Sequence, residues 1–236
     1  MAKRVALITS INNEMMNEAC ELFVSGVPKE TARERLEELI SNRYTAKENI
    51  MKTRIVVQNM WYDTTMPLHD EAVDAAKFLS PSERLPIHWA LLLTQYKVFF
   101  DLCEILGHFF ELRDVVKASQ IKQLMGEKWG ARNSVLSAVS RTFKTLCDMG
   151  VLEKIGSSSY KQKHIVVSDP KVLALLFSSI IIAADRQYMT WEAFITHSVM
   201  FPFVIKDVTQ ADMAAIPYLV MERIGDQIVF RIKDNT

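Results

Sequence analysis

Short hydroxyl side chains and long cationic side chains share one side of a predicted helix between Arg132 and Gly150. The residues on this side are Ser134, Ser137, Arg141, Lys144 and Thr145. Hydroxyl groups let a backbone approach a ligand closely, and the long cations can reach phosphate oxygens or the acceptor edge of guanine. This combination is typical of a helix that lies in the major groove of a nucleic-acid duplex.

The opposite side of the same segment is apolar and predicts the face that packs on a core. Its stripe consists of Val135, Val139, Phe143 and Leu146. A shorter helix is predicted before it, with Ser119 as the N-cap and Gly126 near its end. Gly150 then supplies a residue that tolerates positive φ where the second helix ends. The two segments together predict a helix-turn-helix.

A short hairpin is predicted directly after these helices. Residues 151–155 and 160–167 have strand patterns, and the Gly-Ser-Ser-Ser run at 156–159 favours a turn between them. Over residues 117–168 this order predicts a winged helix-turn-helix, with the hairpin as its wing. Tyr160 is the aromatic residue that we expect to be exposed there, whereas Trp129 and Tyr188 fit a core position better.

Charge is distributed unevenly along a neutral chain. The 236 residues contain 28 Lys plus Arg and 28 Asp plus Glu. Residues 113–168 contain ten basic and four acidic residues, so this segment carries +6 and the remainder −6. A locally basic module favours moderate, salt-sensitive binding to a polyanion, although a solvated charged face has the same pattern.

The predicted partner is double-stranded DNA, held by the two helices and the hairpin. The candidate nucleic-acid-binding residues are Ser119, Lys122, Arg132, Asn133, Ser134, Ser137, Arg141, Lys144, Lys161 and Lys163. A second basic strip, formed by Arg43, Lys47, Lys52 and Arg54, could touch the DNA backbone, but a solvated surface explains it better.

The predicted fold is mainly α: an N-terminal helical bundle, a central winged helix-turn-helix and a small C-terminal α+β appendage with a β-hairpin. Predicted capping residues lie at Thr45, Ser80 and Thr209. One apolar helical region spans 84–112, a buried helix spans 172–184, and the terminal hairpin lies within 218–232. The predicted domains are residues 1–80, 81–168 and 169–236.

Motifs for catalysis are absent from the sequence. Phosphate-binding glycine loops, a nucleophile elbow and a His-Glu-x-x-His motif are all missing, and the five histidines lack metal-ligand spacing. We expect no enzyme activity, cofactor, metal or small-molecule substrate.

We interpret Cys20, Cys103 and Cys147 as reduced thiols in the core. With no signal peptide or membrane span predicted, we expect a cytoplasmic protein without a membrane partner.

In its arrangement, the chain resembles the BrxA-like small proteins of bacterial BREX phage-exclusion systems. The segments that carry this resemblance are residues 32–43, 45–50, 89–110, 128–135 and 146–153. The resemblance implies a non-enzymatic, helical, DNA-binding protein with a winged-helix portion. It also implies that the protein works beside a methyltransferase and other proteins of a defence island. The resemblance supplies no catalytic residues.

Two other functions fit the same pattern. A transcriptional regulator would dimerise and read a palindrome, and the terminal hairpin is the only candidate for that dimer contact. An adaptor would use the winged module to bind protein, and it would have no salt-dependent affinity for DNA.

Overall fold

The computed structural model describes residues 5–233, and it is mainly helical with small sheets. Four helices form the N-terminal region: α1 (Asn13–Val24), α2 (Lys29–Ser41), α3 (Lys47–Tyr62) and α4 (His69–Ala76). The side chain of Asn12 caps α1 by accepting from the backbone N of Met15. The capping box predicted at Thr45 is wrong, because α3 begins after Ala46 without any side-chain cap.

Two apolar helices follow, α5 (Leu85–Gln95) and α6 (Lys97–Leu112). The capping box at Ser80 is confirmed, and it closes a 3₁₀ turn over Pro81–Glu83 that precedes α5. The single helical region predicted over 84–112 is wrong. Tyr96 adopts extended backbone angles between α5 and α6, and the freed N–H of Val98 donates to the carbonyl of Val5 at 2.9 Å.

The middle of the chain contains β1 (Val115–Lys117), α7 (Ala118–Trp129), α8 (Asn133–Asp148), β2 (Leu152–Lys154) and β3 (Ser159–Gln162). The three strands form an antiparallel sheet in the order β1-β3-β2. Strand β1 is absent from the prediction. Ser119 does not cap α7, which begins after Lys117 with no side-chain cap. Gly150 has φ of +78°, as predicted for the end of α8.

The C-terminal region contains β4 (Ile165–Val167), α9 (Pro170–Ala183), β5 (Met189–Thr190), α10 (Trp191–Ile195), β6 (Phe203–Ile205), α11 (Gln210–Ala214), β7 (Leu219–Ile224) and β8 (Gln227–Ile232). The terminal hairpin, the buried α9 and the Thr209 capping box are confirmed. The strand predicted over 160–167 is wrong, because residues 165–167 leave β3 and pair in parallel with β6.

One continuous core crosses both predicted domain boundaries. Helix α5 is buried at nearly every position and packs on α9. Trp89 of α5 packs against α6 and β6 instead, with its ring 5.2 to 5.8 Å from the rings of Phe99, Phe201 and Phe203. Between residues 5 and 233, no helix combines the length and the apolar character needed to span a bilayer.

Helix α6 approaches the backbone of residues 198–200 closely at Gly107. A Cβ atom added at Gly107 would lie 1.9 Å from the carbonyl oxygen of Ser198, and the obstacle is backbone. At Gly126 in α7, the nearest atoms belong to Ala131 at 3.7 Å, an ordinary contact. Of these two glycines, packing therefore requires only Gly107.

A buried histidine joins α5 to α1. His88 is fully buried, and its Nε2 lies 2.8 Å from Oδ1 of Asn17. Burial, with a smaller contribution from the charge of Arg84, lowers the pKa of His88 to about 3. Burial likewise lowers the pKa of His197 to about 4, with the charges of Arg186 and His108 assisting. Both imidazoles are neutral in the folded protein near neutral pH.

We expect Gly107→Ala to destabilise the protein by about 1 to 3 kcal/mol, because α6 must move away from Ser198. Gly126→Ala is the matched control and should stabilise by roughly 0.5 to 1 kcal/mol through helix propensity. Urea denaturation of both variants measures the difference. Equal stabilities would contradict the close approach of α6.

We expect stability to fall as pH decreases from about 6.5, because His88 takes up a proton in the unfolded chain but not in the folded one until pH approaches 3. In His88→Gln, the loss between pH 7 and pH 5 should be smaller by about 2 kcal/mol. Denaturation at both pH values tests this. Identical losses in the variant and the native chain would show that His88 does not set the acid sensitivity.

Candidate nucleic-acid interface

Helix α8 is packed on two sides and exposed on a third. The predicted apolar stripe is confirmed: Val139, Phe143 and Leu146 are buried and Val135 is half-buried. Ala138, Thr142 and Thr145 form a second buried side. The helix therefore presents one narrow stripe to solvent. This stripe consists of Asn133, Ser137, Ser140 and Lys144, and it is polar along its whole length.

Three polar contacts hold the second side of α8 on the N-terminal region. The backbone N of Ile11 donates to Oγ1 of Thr145 at 3.2 Å, and Nδ2 of Asn13 donates to the carbonyl of Met149 at 2.8 Å. Arg43 forms the third contact, with Asp148. The prediction that Thr145 faces DNA is thus wrong. Ser140 occupies the exposed stripe instead, as the 3.6-residue period from Asn133 indicates.

Arg132, Ser134 and Arg141 lie beside the stripe. Arg132 directly precedes α8 and is exposed, as is Ser134. Arg141 is half-buried, and it borders a groove whose opposite wall is formed by residues 5–8. The structure therefore places the three residues at the N-terminal end and along one flank of the exposed stripe.

The hairpin of β2 and β3 covers the other flank of α8. The ring of Tyr160 packs on Phe143, with centroids 4.7 Å apart. Tyr160 is therefore half-buried, and the prediction that it is exposed for base stacking is wrong. Tyr188, expected in the core, is 45% exposed, but it lies outside this part of the fold.

The strand register separates the basic residues of the hairpin. Lys161 pairs with Glu153 and Val115, on the sheet face opposite to Tyr160. Because successive strand residues alternate between faces, Lys161 points away from α8. Lys163 follows β3, and its N–H donates to the carbonyl of Val151 at 2.8 Å. The structure does not bring these two lysines to the exposed stripe.

Lys154 is the hairpin cation that the prediction missed. It pairs with Tyr160 across the strands, so it lies on the face that packs on α8. Burial and the charge of Asp148 raise the pKa of Cys147. The charges of Lys154 and Lys144 oppose this rise, so both lysines lie near Cys147. Alternation from the apolar Leu152 places Lys154 on this face, and that signal was available in the sequence. Cys147 is half-buried here rather than a core thiol.

Helix α7 contributes fewer exposed groups than predicted. Ser119 is exposed in its first turn, and Lys122 is half-buried. Lys128 forms an ion pair with a buried carboxylate, since its Nζ lies 3.1 Å from Oδ1 of Asp101. Trp129 donates from Nε1 to Oδ2 of the same carboxylate at 2.9 Å.

Asp101 anchors the turn between α7 and α8. The carboxylate is 1% exposed, and Lys97 also contacts it, at 3.2 Å. Two lysines and an indole N–H thus compensate the burial of one negative charge. Lys128 and Trp129 immediately precede the turn, so their contacts with Asp101 hold the start of the turn against α6.

Most of the second basic strip is held in ion pairs. Arg54 contacts Glu37 at 3.2 Å, Lys52 contacts Glu48, and Arg43 contacts Asp148. This arrangement agrees with the interpretation of the strip as ordinary surface rather than a second DNA contact. Within residues 5–233, no three His, Cys, Asp or Glu side chains are grouped so as to hold a metal ion.

Comparison with protein-family models, with curated proteins and with solved structures finds no match to this chain. Its candidate site therefore depends on the geometry of α7, α8 and the β2–β3 hairpin.

We expect Asp101→Asn to destabilise the protein by about 1 to 3 kcal/mol, because Lys97 and Lys128 lose the buried charge that holds them. Glu104→Gln is the control: Glu104 lies 3.7 Å from Lys128 at the surface, and its loss should cost less than about 0.5 kcal/mol. Urea denaturation measures both. Equal effects would show that Asp101 is not the anchor.

Proposed function

We propose that residues 97–162 form a winged helix-turn-helix that binds double-stranded DNA through α8. The observation that carries this proposal is the β1-β3-β2 sheet beside the α7–α8 pair, with α8 exposing a polar stripe along its length. In such modules the second helix enters the major groove and the hairpin contacts the flanking backbone.

The dimensions of α8 support this role. Its 16 residues span about 24 Å, and a helix about 10 to 12 Å wide fits the major groove of B-DNA. Ser137 and Ser140 have short side chains, so the helix backbone can approach the base edges. Asn133, in the first turn, has the amide group that pairs with adenine.

The cations around the stripe support backbone contacts. Arg132 lies at the N-terminus of α8, where free N–H groups and the helix dipole favour a phosphate. Lys144 lies at the other end of the stripe, and Lys154 and Arg141 lie on its two flanks. Ser119 and Lys122 of α7 complete the proposed surface. Lys161 and Lys163 are outside it.

We further propose, from the resemblance to BrxA-like proteins, that DNA binding serves a bacterial phage-defence system. In this proposal the chain acts in the cytoplasm, is not an enzyme, and recruits or positions other components on DNA. The polar, groove-sized stripe fits the DNA-binding part of this role.

Anisotropy of a labelled duplex of random sequence, measured across salt, tests DNA binding. We expect micromolar affinity at low salt, and the logarithm of affinity should fall with the logarithm of salt at a slope of about −4 if four to five phosphates are neutralised. Lys144→Ala should reduce the slope by about one. Ser137→Glu should lower affinity by about tenfold, because a longer, negatively charged side chain then stands between the helix and the negatively charged groove.

Lys206→Ala is the matched control for charge, because Lys206 is exposed in the C-terminal region, outside the proposed surface. It should leave both affinity and slope unchanged. Absence of binding at low salt would overturn the proposal and favour an adaptor that binds protein. Equal losses in Lys144→Ala and Lys206→Ala would show that DNA is bound elsewhere.

A further inference from the structure

A negative charge lies at the C-terminal end of the exposed stripe of α8. Asp148 is the last residue of the helix, four positions after Lys144. Its carboxylate oxygen Oδ2 lies 3.4 Å from Nζ of Lys144. On a surface that binds DNA, this carboxylate has two unfavourable effects: it repels phosphate, and it competes with phosphate for the lysine.

A cation from outside the helix contacts the same oxygen. Nη2 of Arg43 also lies against Oδ2 of Asp148. The Arg43 and Asp148 side chains are 24% and 22% exposed, whereas Lys144 is 57% exposed. The arginine contact is the better shielded of the two, so Arg43 is the principal counterion of Asp148.

Arg43 is held in place by the N-terminal region. It follows α2, and its guanidinium lies 5.7 Å from the centre of the Tyr44 ring. The Tyr44 hydroxyl is in turn 2.9 Å from Oγ of Ser10. Arg43 therefore reaches α8 from a fixed support, on the side where Thr145 and Met149 are also held.

We propose that Arg43 is a positioning residue for DNA binding: it neutralises Asp148, and this leaves Lys144 free to contact a phosphate. The inference rests on the proposed function of α8. It gives the N-terminal region a defined part in DNA binding, because the cation that prepares the surface comes from outside the helix-turn-helix.

A double-substitution cycle in the anisotropy assay tests this role. Arg43→Ala should lower affinity by about three- to tenfold at low salt and reduce the salt slope by about one, because Asp148 then captures Lys144. Asp148→Asn alone should bind somewhat more tightly than the native chain. The double variant should bind like Asp148→Asn, since no carboxylate remains to be neutralised. Arg43→Lys should retain most of the affinity.

Lys52→Ala is the control on the same basic strip, and it should not change DNA binding. If Asp148→Asn fails to rescue Arg43→Ala, Arg43 contacts DNA itself or supports the fold, and the inference is overturned. Native-like binding by Arg43→Ala also overturns it, as does a loss of affinity in Asp148→Asn alone. No binding by the native chain would instead overturn the proposed function, which separates the two failures.

Discussion

The burial of α5 on all its sides is the constraint on which the rest of the fold depends. A helix that is apolar around its whole circumference must be covered in every direction. The N-terminal helices, α6 and α9 cover it, and aromatic side chains around Trp89 complete the shell. The core consequently runs through the described residues from Leu7 to Phe230. Helix α8 packs on α6, α7 and β2 at its periphery and exposes its polar stripe there.

Peripheral position does not leave α8 loosely attached. Apolar packing holds one side, and polar contacts to Ile11, Asn13 and Arg43 hold another. Asp101 fixes the turn that precedes it. A helix held on two sides and at its start loses little conformational freedom on binding, so a ligand that contacts the third side meets a surface that is already ordered.

Counting charges in a sequence segment overstates the cations that such a surface can use. Residues 113–168 carry +6, yet Lys128 neutralises a buried aspartate and Lys161 lies on the outer face of its sheet. Conversely, Arg43 lies outside the segment and neutralises Asp148 within it. The electrostatics of the candidate interface are therefore a property of the packed protein, because each ion pair inside the fold removes a charge from its surface.

Local patterns in the sequence were sufficient for elements whose causes are local. The apolar stripe of α8, the capping boxes at Ser80 and Thr209, and the hairpin of β7 and β8 follow from helical period, capping and turn chemistry within a few residues. Only the tertiary structure decided the break at Tyr96, the pairing of β1 and the burial of Thr145. Each of these depends on a partner distant in sequence: Val5 satisfies the freed N–H after Tyr96, β3 pairs with β1, and Ile11 donates to Thr145. Such contacts form when the chain packs, and no short-range pattern encodes them.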